Sequence, residues 1–95
     1  MTKADIVSNI SDKLGIDKND VQITIESFMS EVKSSLERGE NVYLRGFGSF
    51  IIKTRAKKTG RNISKNTAVI IPAHNIPAFK ASKVFVNAVK AKVSV

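Results

Sequence analysis

Lysine and arginine stand at alternate positions in Lys53, Arg55 and Lys57, and Lys58, Arg61 and Lys65 follow with no acid between them. On an extended strand successive side chains point to opposite faces, so this alternation puts cations on one side at a spacing that can follow phosphates. The chemistry is electrostatic, and it gives affinity without sequence information. Arg61 and Asn62 add side chains able to meet the acceptors of a minor groove. Ile63 comes next, an apolar residue flanked by Asn62 and Ser64. Such a side chain can wedge between base pairs, unstack a step and kink a duplex.

Other chemistries are poorly provided for. All eight carboxylates lie in residues 1–40, away from the other candidate groups, so a paired-carboxylate site is not expected. His74 is the single histidine, there is no cysteine, and no acid shares the half of the chain that holds His74. It reads as a surface or packing residue, and neither a metal nor any other cofactor is expected. Gly46-Phe47-Gly48 lacks the lysine and following helix of a phosphate loop and reads as a tight turn. The sequence therefore points away from an enzyme.

Charge is divided unevenly. Residues 1–40 hold five basic residues against eight acids, a net −3, while residues 41–95 hold eleven basic residues and no acid, a net +11. A solubility surface usually mixes signs, so the second half implies a field directed at a polyanion. Ninety-five residues with 42% apolar content suit one domain with a modest private core. No apolar run approaches the roughly 20 residues of a membrane helix, and the amino terminus has no signal-like apolar core. A cytoplasmic protein is expected.

The elements that must position these groups follow from periodicity and caps. Thr2 with Asp5 makes a capping box, and Ile6, Val7, Ile10 and Leu14 recur at helical spacing, which predicts a helix from about Lys3 to Leu14. Asp17 and Asp20 open a second helix whose stripe of Val21, Ile25, Phe28, Val32 and Leu36, widened by Ile23 and Met29, ends at Gly39. The period then changes to two. Val42 to Leu44 reads as a short strand and Ser49 to about Lys57 as a longer one, with Phe50 and Ile52 on the packing face. Residues 59–66 read as a ribbon tip, Thr67 to Ile71 as its returning strand, and Pro72 and Pro77 as brackets of an irregular return. Ser82 caps a last helix with Val84, Phe85, Ala88 and Val89 on its apolar side. The expected fold class is α+β in a single domain: a helical hairpin (1–40), an antiparallel sheet with a long two-stranded β-arm (41–81) and a C-terminal helix (82–95).

Four ordered motifs resemble the HU/IHF family of bacterial architectural DNA-binding proteins: Met1-Thr-Lys-Ala4, Arg45-Gly-Phe-Gly-Ser-Phe50, Thr59-Gly-Arg-Asn62 and Ile76-Pro-Ala-Phe-Lys80. The resemblance covers nearly the whole chain. It implies an intertwined dimer with a saddle of strands from which two β-arms reach around DNA. It places Arg55, Lys57, Lys58, Arg61, Asn62 and Lys65 along the arm, and Lys53, Lys80 and Lys83 on the saddle and its flank. It also puts Lys3, Arg45 and the Gly46 backbone against phosphates. A shared dimer core of Phe28, Phe47, Phe50 and Phe79 is expected, because a 95-residue subunit hides so much aromatic surface poorly. Two departures stand out: Ile63 replaces the proline usual after Arg-Asn, and Ala81-Ser82 replaces a common Pro-Gly pair.

The resemblance implies a nucleoid protein that binds the minor groove of double-stranded DNA, bends it and compacts the chromosome with low sequence preference. An IHF-like, site-specific role, as one half of a heterodimer with a paralogue, is the alternative to an HU-like homodimer. RNA stands as a secondary ligand. No exposed aromatic platform for unstacked bases is expected, since Tyr43 is the only tyrosine and the phenylalanines read as buried. A membrane partner is not expected, because no amphipathic helix has a strongly basic face.

Overall fold

The computed structural model describes residues 1–62 and 67–95, and of Arg61 and Asn62 the backbone alone. Close contacts group the chain into two compact units, Met1–Ser35 and Leu36–Val95.

The first unit is the predicted pair of helices, α1 (Lys3–Leu14) and most of α2 (Lys18–Glu37). The capping box forms as expected: the Thr2 hydroxyl accepts from the Asp5 N–H at 3.3 Å and the Asp5 carboxylate accepts from the Thr2 N–H at 2.9 Å. At the other end of α1 the Gly15 N–H bonds the Ser11 carbonyl. Asp17 opens α2 by accepting from the Asn19 N–H at 2.8 Å. Val7, Val21 and Val32 are the buried apolar side chains, whereas Ile23, Phe28 and Met29 of the widened stripe stay about half exposed.

In the second unit β1 (Val42–Leu44), β2 (Gly48–Arg55) and β5 (His74–Ala81) form an antiparallel sheet in the order β1-β2-β5. β3 (Lys58–Asn62) pairs antiparallel with β4 (Thr67–Ile71), and α3 (Lys83–Lys92) follows β5. Three expectations need correction here. The longer strand stops at Arg55 rather than Lys57, residues 59–62 are strand rather than tip, and the return through Pro77 is a regular strand paired with β2 from His74 to Ala81. Pro77 is tolerated because β5 is an edge strand, where one side of the backbone needs no ladder partner.

The register carries through the gap between the two sheets unshifted. Arg55 faces His74, Lys58 faces Ile71, and two residues on each side, 56–57 and 72–73, separate these pairs. β2–β5 and β3–β4 are therefore two stretches of one long ribbon. Pro72, which has no N–H to give and a fixed φ, lies at the interruption.

Ser82 caps α3 as expected, accepting from the Phe85 N–H at 3.2 Å, and the helix ends at Lys92 with Val93 as its cap. Of the apolar side assigned to it, Phe85 is half-buried while Val84 is exposed. Among the described residues, no helix is long and apolar enough to cross a membrane.

Candidate nucleic-acid interface

Which side chains share a face of the β1-β2-β5 sheet follows from its register, because residues directly opposite each other point the same way. Val42, Phe50 and Phe79 form one row, and this face carries the aromatic cluster. Phe50 and Phe79 lie with ring centroids 5.0 Å apart, Phe79 meets Phe47 at 5.0 Å, and Phe47 stacks on Phe85 of α3 at 5.5 Å. Phe47, Phe50 and Phe79 thus come together within one chain. Phe85, expected on the apolar side of the last helix, joins the cluster through Phe47.

The opposite face holds the rows Tyr43–Ser49–Lys80, Ile51–Ala78, Lys53–Ile76 and Arg55–His74. Lys53 and Arg55 share this face as the alternation predicted, and Lys80 of the neighbouring strand joins them. The face is not uniformly basic, since Ile51 and Ile76 are half-buried along it and cationic character begins in earnest at Lys53. Lys57 falls in the interruption between β2 and β3, so it does not extend the β2 alternation as a strand residue. The ladder stops before it reaches that position. Lys58 opens β3 opposite Ile71, and the backbones of Arg61 and Asn62 pair with Ala68 and Thr67. Ile63 and Lys65 lie outside the described residues.

At the end of the sheet a tight turn sets a second group of cations. The Phe47 N–H bonds the Leu44 carbonyl at 3.0 Å, and Gly46 occupies the third position with φ +81°, a conformation that a type II turn demands and side chains resist. Arg45 is thereby left at the outer corner while Phe47 turns into the ring cluster. The Phe47 carbonyl then accepts from the Ser82 N–H at 2.9 Å, tying the turn to the start of α3. Gly48 lets β2 approach β5: a Cβ there would stand 2.5 Å from the Lys80 carbonyl oxygen and 2.6 Å from the Phe79 ring. The result is an open cleft of about 470 Å³ whose lining includes Tyr43, Arg45, Gly46, Ser49, Lys80 and Lys83 and no carboxylate. Arg45, Lys80 and Lys83 are all exposed.

The expectation of buried phenylalanines and no exposed aromatic surface fails: Phe28, Phe47 and Phe79 are each more than 40% exposed, and the largest departure is Tyr43. It is 72% exposed, on the face away from the ring cluster, so an aromatic surface does stand beside the cations. Its place on the edge strand could have signalled this.

Lys3 belongs to the other unit, at the first position of α1. Its ammonium is 2.8 Å from the Glu26 carboxylate, and the two side chains remain about half exposed. The hydrogen bond from Lys3, then one from Gln22 at 3.2 Å, then the Lys3 charge hold the Glu26 carboxyl below its ordinary range. His74 is exposed, its Nδ1 3.0 Å from the Pro72 carbonyl oxygen. Among the described residues, no three His, Asp or Glu side chains gather in a way that could hold a metal ion.

The family model described as "Bacterial DNA-binding protein" matches residues 1–90. The chain is 35% identical over 94 residues to integration host factor subunit alpha of Anaeromyxobacter sp. (strain K), covering 99% of this chain and 83% of that protein. It is 36% identical over 85 residues to DNA-binding protein HU of Clostridium pasteurianum, covering 90% and 93%. Among solved structures, the HU of an Anabaena HU–DNA cocrystal superposes with a TM-score of 0.90 at 31% identity, over 95% of this chain and 98% of that one. With its acid-free strand face, its arm strands and a family match over nearly its full length, the chain belongs to the HU/IHF family of bacterial architectural DNA-binding proteins.

Proposed function

We propose that the protein grips double-stranded DNA as a dimer, bends it and compacts it with low sequence preference, in the manner of HU. The observation that carries this reading is the sheet face holding Lys53, Arg55 and Lys80, continued by Lys58 on the arm and by Arg45 and Lys83 at the cleft, in a stretch of chain that contains no acid. Cations arranged this way engage phosphates and read DNA by its deformability. Arg61, Asn62 and Ile63 enter the minor groove, Lys57 and Lys65 support the arm, and Ile63 acts as the wedge that kinks the duplex. Replacing Ile63 by Ala reduces bending, read by fluorescence transfer between duplex ends, more than it reduces binding. Unchanged bending would remove Ile63 from the wedge role.

Two features support a dimer. Among the described residues of the second unit no large apolar side chain is buried, and Phe47 and Phe79 remain 45% and 42% exposed despite touching each other. Phe28 of α2 is 45% exposed as well. Aromatic surface of this extent is what a subunit interface covers. Light scattering should return about twice the 10.4 kDa of one chain; a monomeric mass overturns the shared core.

The role is structural rather than catalytic, and its place is the cytoplasmic nucleoid. A second reading, one subunit of a site-specific heterodimer, is favoured by the near-equal identity to an integration host factor alpha subunit and to an HU protein. Selection from random duplexes separates the two, since an enriched motif supports the site-specific protein and a flat outcome the HU-like one.

A further inference from the structure

His74 is the single histidine, and the DNA-binding reading leaves it without a task. The register puts it directly opposite Arg55, on the sheet face that also carries Lys53 and Lys80. Side chains directly opposite on an antiparallel pair stand roughly 5 Å apart at Cβ, so the imidazole and the guanidinium border the same spot on the surface. His74 is exposed, and its Nδ1 lies 3.0 Å from the carbonyl oxygen of Pro72. Pro72 belongs to the interruption between β4 and β5, outside either ladder. A carbonyl oxygen only accepts, so this contact assigns the neutral ring's proton to Nδ1 and leaves Nε2 as a free lone pair.

That arrangement makes the response to a phosphate depend on one proton. The neutral ring offers a bare Nε2, which meets phosphate oxygens lone pair to lone pair. A second proton turns Nε2 into a donor and the ring into a cation, while the Nδ1 bond to Pro72 stays as it was. Imidazole is the side chain whose charge ordinarily changes between about pH 5 and 8. The charged side chains that the register brings near the ring are basic: Arg55 across the ladder, Lys53 in the next row of the same face, Lys57 in the interruption and Lys58 opening β3. Residues 41–95 contain no Asp or Glu to pair with a charged imidazole. Two cations directly opposite on a sheet repel unless an anion stands between them, and a bound phosphate is such an anion. We infer that His74 is a proton-dependent phosphate contact: sharing one phosphate with Arg55, it takes up a proton as DNA binds and makes the grip tighter in mild acid than in mild alkali. This inference rests on the DNA-binding reading and adds to it one contact residue and a pH response.

The test titrates the full-length protein with one duplex at about pH 5.5 and about pH 8, the two sides of the imidazole range. The wild type should bind roughly fivefold tighter per chain at the lower pH, the upper end for an exposed ionic contact. Its log–log salt slope should also be steeper there by up to about 0.9 per chain. His74→Gln, neutral throughout, should bind with one affinity and one slope at both. His74→Lys, charged throughout, should keep the steeper slope at both. At neutral pH, adding the duplex should move the ring-proton resonances of the single histidine toward the imidazolium position, since a phosphate favours the charged form. A wild type whose affinity and slope ignore pH, or a pH response that survives in His74→Gln, overturns the His74 assignment alone. Failure of the wild type to bind the duplex at either pH overturns the DNA-binding reading beneath it.

Discussion

The phosphate contact proposed for Lys3 has a competitor within the chain, because its ammonium lies 2.8 Å from the Glu26 carboxylate. Glu26→Gln removes the competitor, and binding should tighten a few-fold, read by fluorescence anisotropy at low salt where surface charges are least screened. Lys3→Met should make the salt dependence shallower by about 0.9 in log–log slope for each chain that loses one phosphate contact. The pair also has a defined pH window. Since the folded Glu26 carboxyl lies below its ordinary value, its contribution to stability is fully present above the unfolded value and is lost as pH falls through the folded one. A carbon-detected NMR titration of Glu26 should place its midpoint below the ordinary glutamate value, and Lys3→Met should move it upward.

The turn between β1 and β2 shows how an element positions charge. Its two glycines do different jobs: Gly46 adopts a φ of +81° so that Arg45 stands at the corner, and Gly48 makes room for the Lys80 backbone and the Phe79 ring. Gly48→Ala should cost roughly 1–3 kcal/mol, because a Cβ at 2.5 Å from a backbone oxygen cannot be relieved by rotating a side chain. Urea unfolding measures this directly. Gly46→Ala meets no neighbouring atom, so its cost is the strain of a left-handed residue, on the order of 1 kcal/mol. A larger loss at 46 than at 48 would mean that the turn conformation, rather than strand approach, limits the fold. The interrupted ribbon is a second element-scale device, in which Pro72 breaks the ladder while the preserved register keeps both stretches aligned.

Across the whole molecule the division of charge sets the energetics of binding. Six described cations, Lys53, Arg55, Lys57, Lys58, Lys80 and Lys83, lie along the ribbon and its flank. If each neutralises one phosphate, the logarithm of affinity should fall against the logarithm of salt with a slope of about −5 per chain. Anisotropy titrations over a range of salt concentrations provide the slope; a value near −1 would limit the contact to one or two of these residues. Six of the eight acids lie in the helical unit and the other two, Glu37 and Glu40, precede β1, so the strands and the last helix carry no acid of their own.

What can be read from sequence and what cannot divide along the range of the interactions involved. α1 begins and ends where expected, and Ser82 caps α3, because capping depends on residues three positions apart. The common face of Lys53 and Arg55 was legible for the same reason, since alternation is a property of an extended chain on its own. The pairing of β5 with β2 was not legible. Pro72 and Pro77 argue locally against a strand, and only the edge position of β5 in the sheet makes Pro77 harmless. The strand break after Arg55 likewise depends on what stands across the ribbon, where the pairing of β2 with β5 brings the Pro72 end of the returning chain. The cleft needed the most from tertiary structure. Arg45, Ser49, Lys80 and Lys83 meet beside an exposed Tyr43 only because three strands and a turn close on one another, which no local pattern in the sequence records.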